Sequence, residues 1–232
     1  MLLQRWRDVS FLHWRFDPAD VGALLPTGLT IDTFDGAAWV SLTPFGVDGS
    51  RPPLVPPIPG LSNFVESNVR TYVIGPDGRD GLWFFTLETN SLSTTLAART
   101  TLGVPYRWAS MALSRVGDAV TYCSRRRLAD PAPGHRTTVA TKGNGNVDDP
   151  TLAAWLTGRW RAWTRVAGRL LAVPVEHEPW PLSDATLVAH HDTLFASLGL
   201  PEPDGEPLVH AAPGVTARLG WPSPPSRSQG GS

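Results

Sequence analysis

This sequence predicts a β-rich α+β fold, and three observations carry the prediction. Phe64, Glu66, Asn68, Arg70 and Tyr72 alternate with Val65, Ser67, Val69, Thr71 and Val73, the two-residue period of a β-strand. Beyond the turn GPDGRDG, Trp83, Phe85 and Leu87 alternate with Phe84, Thr86 and Glu88, so the two segments read as a hairpin with a longer loop. Two later segments, opened by Asp149-Pro150 and by Ser183, carry helix start signals. A chain of 232 residues that is 41% hydrophobic can bury a real core. The expected organisation is a single domain over residues 1–220 and a disordered, low-complexity tail over 221–232.

Taken in order, residues 9–16 (VSFLHWRF) predict a strand. Asp17 then caps a short helix with Pro18 at its first position, ending before Pro26. Residues 31–45 predict a strand pair or a strand bent at Asp35-Gly36. The five prolines of RPPLVPPIPG (51–60) exclude a regular ladder and predict an extended loop. In 98–109 (ARTTLGVPYRWA) the breaker between Gly103 and Pro105 presents Tyr106 and Arg107 from a stiff corner. AVTYCSRR (119–126) and HRTTVAT (135–141) predict further strands, and TKGNGNVDD a polar loop. Leu152, Trp155, Leu156, Trp160 and Trp163 recur at three- and four-residue spacings, which predicts a helix over 150–166. Residues 170–178 predict a strand, and Ser183 a second helix to about residue 198.

Composition removes several function classes. A formal net charge of -1 gives no electrostatic footprint for nucleic acid. No run of about 18 apolar residues predicts a membrane span, and the N-terminus lacks the pattern of a secretory signal, so the expected location is cytoplasmic. The single cysteine, Cys123, excludes an intrachain disulfide and a multi-cysteine metal site. No metal and no cofactor are expected: in EHE (176–178) the flanking carboxylates point away from His177 on a strand, and His190-His191-Asp192 diverge on the predicted helix. TKGNGN lacks the ending of a phosphate-binding P-loop.

The blocks FLHWRFDP, LLPTGLTIDTFDGAAWVSLTPF, NFVESNVRTYV, ARTTLGVPYRWAS and VEHEPWPL, in this order, resemble the DUF2071 (YqjF-like) family over about residues 5–200. That family is similar to acetoacetate decarboxylase, so the resemblance implies an antiparallel, cone-like β-barrel with flanking helices and a site inside it. The catalytic glutamate of the decarboxylase matches Glu66. Its segment glycine-arginine-glutamate, followed by proline-lysine-lysine, matches Ala98-Arg99-Thr100 and Pro105-Tyr106-Arg107. The Schiff-base lysine is therefore replaced by Tyr106 and its activating neighbour by Arg107. An N-terminal active-site arginine matches Arg7, and a second acidic residue of that family has no counterpart at 39–41.

Tyrosine cannot form an imine, and the chain's one lysine, Lys142, lies outside every matching block. The resemblance together with the polar strand face places Glu66 and Tyr106 as catalytic candidates, with Arg7, Asn68, Arg70, Arg99 and Arg107 as substrate-binding residues. Guanidinium groups favour a small anionic organic molecule, such as an oxo or hydroxy acid. Tyr106 can donate to an enolate or carbonyl oxygen and Glu66 can move a proton, which describes lyase, hydratase or tautomerase chemistry. Two alternatives stand beside this: a purely structural buried network, and a non-catalytic binding protein or sensor. Ten tryptophans and a family of oligomers point to a homo-oligomer.

Overall fold

The computed structural model describes residues 1–142, 145–203 and 205–225. Twelve strands and four helices follow one another as β1 (Leu2–Phe16), α1 (Pro18–Ala23), β2 (Thr30–Ile31), β3 (Ala38–Arg51), β4 (Phe64–Ile74), β5 (Asp80–Thr89), α2 (Leu92–Thr101), β6 (Tyr106–Val116), β7 (Ala119–Arg126), β8 (Gly134–Thr141), α3 (Pro150–Thr157), β9 (Arg161–Val166), β10 (Arg169–His177), β11 (Ser183–Asp192), α4 (Leu194–Ser197) and β12 (Leu208–Leu219). The expected hairpin is the antiparallel pair β4–β5, closed by hydrogen bonds from Gly75 N to Arg79 O and from Gly78 N to Gly75 O. Asp17 caps α1 through its carboxylate, and Ser91 caps α2.

The sheet closes because β5 and β12 each branch. The start of β5 pairs with β9 and its end with β6. β12 pairs with β11 near its start and with β10 at its end. Two rings result, sharing the wall β5-β4-β3-β1-β12: nine strands when closed through β6-β7-β8-β11, and seven when closed through β9-β10. The resemblance implied an antiparallel barrel, yet both new partners of β5 run parallel to it.

The interiors of the two rings differ in kind. The larger is filled by an apolar cluster that includes Leu12, Val40, Leu42, Val69 and Val139, with Phe85 and Leu187 packed against it. The smaller is hollow. All seven of its strands contribute side chains to one cavity of about 110 Å³. β4 is buried on both faces, so its alternation serves the two interiors at once, with Val69 in the core and Glu66, Asn68 and Arg70 on the cavity.

Two expected helices are corrected. The helix over 150–166 stops at Thr157: Gly158 follows it, and residues 161–166 form β9, hydrogen-bonded to β10 and β5. The tryptophan spacing imitates a helix, but Trp163 is buried as a strand residue. Residues 183–192 are also strand, paired with β8 and β12, and only the four residues of α4 are helical. Here sheet pairing overrides a helix start signal. His190 and His191 consequently sit on β11, where His190 meets Thr137 and His191 is exposed. Residues 226–232 of the expected tail lie outside the described residues, while Ser223 exchanges backbone hydrogen bonds with Ala172. Among the described residues no helix is long and apolar enough to cross a membrane, and no group of three or more metal-ligating side chains occurs.

Gly75, at the end of the β4–β5 hairpin, tests this packing. A Cβ there would lie 1.9 Å from Cζ2 of Trp163, whose ring is 1% exposed. Gly75→Ala is expected to cost about 2–3 kcal/mol in urea denaturation through overpacking; an unchanged midpoint would show that the indole can shift freely.

Candidate active site

The even-numbered face of β4 delivers Glu66, Asn68 and Arg70 to the cavity in a row. Opposite them, Tyr106 arrives from the start of β6. Gly103, at φ +65°, turns the chain out of α2, and Tyr106 N donates to Val104 O across Pro105. This corner sets Tyr106 beside Leu87 in the parallel β5–β6 pair and turns its hydroxyl inward. Tyr106 Oη donates to Glu66 Oε2 at 2.7 Å, so the two residues proposed as catalytic meet.

Burial dominates the electrostatics of this pair. Glu66 is 5% exposed, and its desolvation raises its pKa from 4.5 to about 7, against the opposing hydrogen bonds from Tyr106 and Asn68. Burial, with the neighbouring Glu66 charge, pushes Tyr106 well above its usual value of 10.0. Tyr106 therefore stays a proton donor at neutral pH, while Glu66 gains and loses a proton there.

Arg70 is 8% exposed and has no carboxylate partner among the described residues. Its guanidinium lies 5.4 Å from the Phe11 ring centroid, its Nε has no hydrogen-bond partner, and burial lowers its pKa. Three more buried polar atoms of cavity-lining residues lack partners: Thr43 Oγ1, Asn68 Oδ1 and Arg159 Nη2. Thr43 and Asn68 face each other across β3 and β4. Such groups are costly to bury unless a water or ligand satisfies them. Elsewhere the wall is apolar and largely aromatic, with Trp6, Phe11, Phe45, Phe84 and Trp180.

Three of the predicted substrate-binding residues do not reach this cavity. Arg7 is turned outward, pairing with Asp48 and Asp8. The cause is an irregularity in β1: the pairing with β3 shifts between Arg7 and Leu12, and Asp8 takes φ 48°. Gln4 and Trp6 line the cavity before it and Val9 and Phe11 after it, so Arg7 falls on the other face. Arg99 is exposed on α2. Arg107 follows Tyr106 on a strand and so points the opposite way, exposed, with its pKa lowered by desolvation and by the nearby Arg126 and Arg99. Lys142 is exposed, and no cavity-lining side chain is a lysine.

Sequence reasoning missed Arg159, His177 and Trp180 as lining residues. Arg159 was concealed by the helix expected over 150–166. It follows the end of α3, where Nη1 binds Asp32 at 2.8 Å and Asp80 at 3.0 Å, and Nε donates to Trp155 O. The best available signal was Gly158, a helix terminator directly before a charged residue.

Comparison with known proteins agrees with this fold. Residues 3–216 match the model of DUF2071, a family described as an uncharacterized conserved protein. The uncharacterized protein YqjF of Bacillus subtilis (strain 168) is 34% identical over 212 residues, covering 91% of this chain and 87% of its own. Among solved structures, an acetoacetate decarboxylase-like enzyme from Sphingomonas wittichii RW1 superposes with TM-score 0.67 at 17% identity, over 96% of this chain and 92% of its own. The enduracididine biosynthesis enzyme MppR, complexed with pyruvate, gives TM-score 0.69 at 16% identity, over 97% and 91% of the two chains. At these identities the structures speak for the fold alone. Sequence and fold together place the chain in the DUF2071 family, built on the acetoacetate decarboxylase-like β-barrel.

Proposed function

We propose that the smaller barrel binds a small organic anion, an oxo or hydroxy acid, and moves a proton on it by means of Glu66 and Tyr106. The observation that carries this reading is one cavity holding both a buried guanidinium without a carboxylate partner, Arg70, and a carboxyl poised near neutrality, Glu66. A ligand carboxylate would supply the charge and acceptor atoms that Arg70 lacks. Asn68 and Thr43 offer further polar contacts along its length. Tyr106, kept protonated, donates to the oxygen on which charge develops, and Glu66 exchanges the proton at the adjacent carbon or oxygen.

The chemistry belongs to the lyase and isomerase type without a Schiff base, because no amine faces the cavity. Pyruvate bound by MppR, a protein of the same fold, supports an acid of this size. The loss of the amine also supports a second reading, in which the barrel binds its ligand without turnover.

Incubating the protein with small oxo and hydroxy acids and following product by NMR separates these readings. For an acid that is turned over, Glu66→Gln is expected to lower kcat at least 100-fold with little change in Kd, and Tyr106→Phe to lower kcat about tenfold or more. Arg70→Met should instead weaken binding on the order of 100-fold. Binding by wild type, with no acid altered, would leave the binding protein standing and remove the catalytic role.

Glu66 also predicts a pH signature in stability. With its pKa raised from 4.5 to about 7, the folded chain retains a proton that the unfolded chain releases. Stability is unaffected by this group below about pH 4.5, falls as pH rises towards 7, and stays reduced above it. Relative to wild type, Glu66→Gln should therefore gain about 3 kcal/mol between roughly pH 4 and pH 8 in urea denaturation. A gap that does not change with pH would show that the carboxyl is solvated.

A further inference from the structure

The cavity balances one negative charge. Arg159 is already committed to Asp32 and Asp80, which leaves Arg70 as the guanidinium without a carboxylate. A second anionic group on the ligand would meet the acidic Glu66, an apolar wall that includes Phe11, Phe45, Val173 and Val175, or Arg159, whose Nη2 is unpartnered but whose charge is already matched by Asp32 and Asp80. On the far side of Thr157, His177 and Trp180 lies an apolar groove of about 330 Å³, and these three residues line both spaces. The groove is otherwise walled by Ala153 and Ala154 of α3, by Trp160 between α3 and β9, and by the loop after β10, including Leu182.

The partition is a packed aromatic contact that an entering ligand tail would have to part. Trp180 sits on the β10–β11 connection, not in a strand, held by Nε1 donating to Thr157 O at 3.2 Å and by stacking on Trp6. His177 ends β10, with ring centroids 4.8 Å from Trp180 and 4.6 Å from Trp160.

We propose that the ligand is a monocarboxylic acid with an apolar body, whose end away from the carboxylate passes between His177 and Trp180 into this groove. The proposal rests on the reading that a carboxylate binds Arg70, and adds the class of substituent it carries. The groove continues the cavity through shared side chains, and its apolar lining matches the cavity wall in character. Desolvating a methylene there is favourable, whereas a second carboxylate finds only Arg159, a cation already paired with Asp32 and Asp80.

Isothermal titration with pyruvate, 2-oxooctanoate and 2-oxoglutarate tests this on wild type and on Ala154→Trp. Ala154 is exposed on α3 and lines the groove only, so the variant fills the groove and leaves the cavity intact. Each buried methylene tightens binding roughly fourfold, so 2-oxooctanoate should bind wild type on the order of 100-fold or more tighter than pyruvate. Binding of 2-oxoglutarate should be no tighter than that of pyruvate. In Ala154→Trp the gain for 2-oxooctanoate should fall at least tenfold, with pyruvate unchanged. A 2-oxooctanoate affinity equal to that of pyruvate, a preference for 2-oxoglutarate, or a gain that survives Ala154→Trp would overturn the proposal while leaving carboxylate binding at Arg70 in place. If none of the three acids binds, the carboxylate reading itself fails and the inference falls with it.

Discussion

Double-sided burial of β4 is the constraint on which the rest of this structure depends. A strand between two enclosed spaces must satisfy both, and its two-residue period lets it do so only if one set of side chains is chosen for each. Val69 joins the apolar core of the nine-stranded ring, while Glu66, Asn68 and Arg70 face the cavity of the seven-stranded ring. Ser67, on the core side, is not an exception: its hydroxyl is bonded to His135 Nε2 at 2.9 Å, and burial holds that histidine neutral with a pKa of about 3. Glu88 on β5 is likewise satisfied by Arg126 at 2.6 Å. These polar groups of the larger ring close upon one another, although Ser124 Oγ on β7 has no partner among the described residues. In the smaller ring four unpartnered polar atoms belong to residues that line one cavity, Thr43, Asn68, Arg70 and Arg159, and that concentration, more than the mere presence of charge, makes the cavity the candidate site.

The elements legible in the sequence were those where local pattern and tertiary environment agree. β4 and β5 could be read because their alternation matches their burial, and α1 because Asp17 and Pro18 act within one turn. The meeting of Glu66 with Tyr106 was legible only through family resemblance, since 40 residues separate them and the Pro105 corner fixes direction but not destination. What stayed hidden depended on long-range pairing. Residues 161–166 become strand because β10 and β5 flank them, and residues 183–192 because β8 does. Neither neighbour is visible in a local window. Arg7 failed for a finer reason, since one irregular step at Asp8 reverses which side chains face inward and no residue type announces it.

If Tyr106 stands where acetoacetate decarboxylase has its Schiff-base lysine, as the resemblance implies, the substitution changes what burial accomplishes there. For an amine, desolvation favours the neutral nucleophile. For a phenol it has the same sign on charge and the opposite chemical result: the neutral form is the donor, held even further from ionisation by Glu66 beside it. One apolar enclosure thus suits either a Schiff-base nucleophile or a hydrogen-bond donor, and the side chain decides which. The fold is therefore compatible with a reaction other than decarboxylation through an imine, and the proposed proton transfer uses the groups that burial has already tuned.

The geometry of Glu66 and Arg70 completes the argument. A buried carboxyl and a buried guanidinium in one cavity would attract strongly, yet they form no ion pair. They stand four positions apart on one strand, about 13 Å between Cα positions, with Asn68 in the intervening place on the same face. Had they paired, the carboxyl would have ionised at low pH and Arg70 would have been neutralised from within the chain. Held apart, the guanidinium keeps no carboxylate partner among the described residues, while the carboxyl, hydrogen-bonded by Tyr106 and Asn68, stays near its titration point. Such an arrangement lowers the stability of the empty fold, and it persists because the surrounding strands over-determine the positions of both groups. On the proposed function, an incoming carboxylate relieves Arg70 and leaves Glu66 free to exchange a proton with the ligand, while Tyr106 beside it stays protonated as the donor.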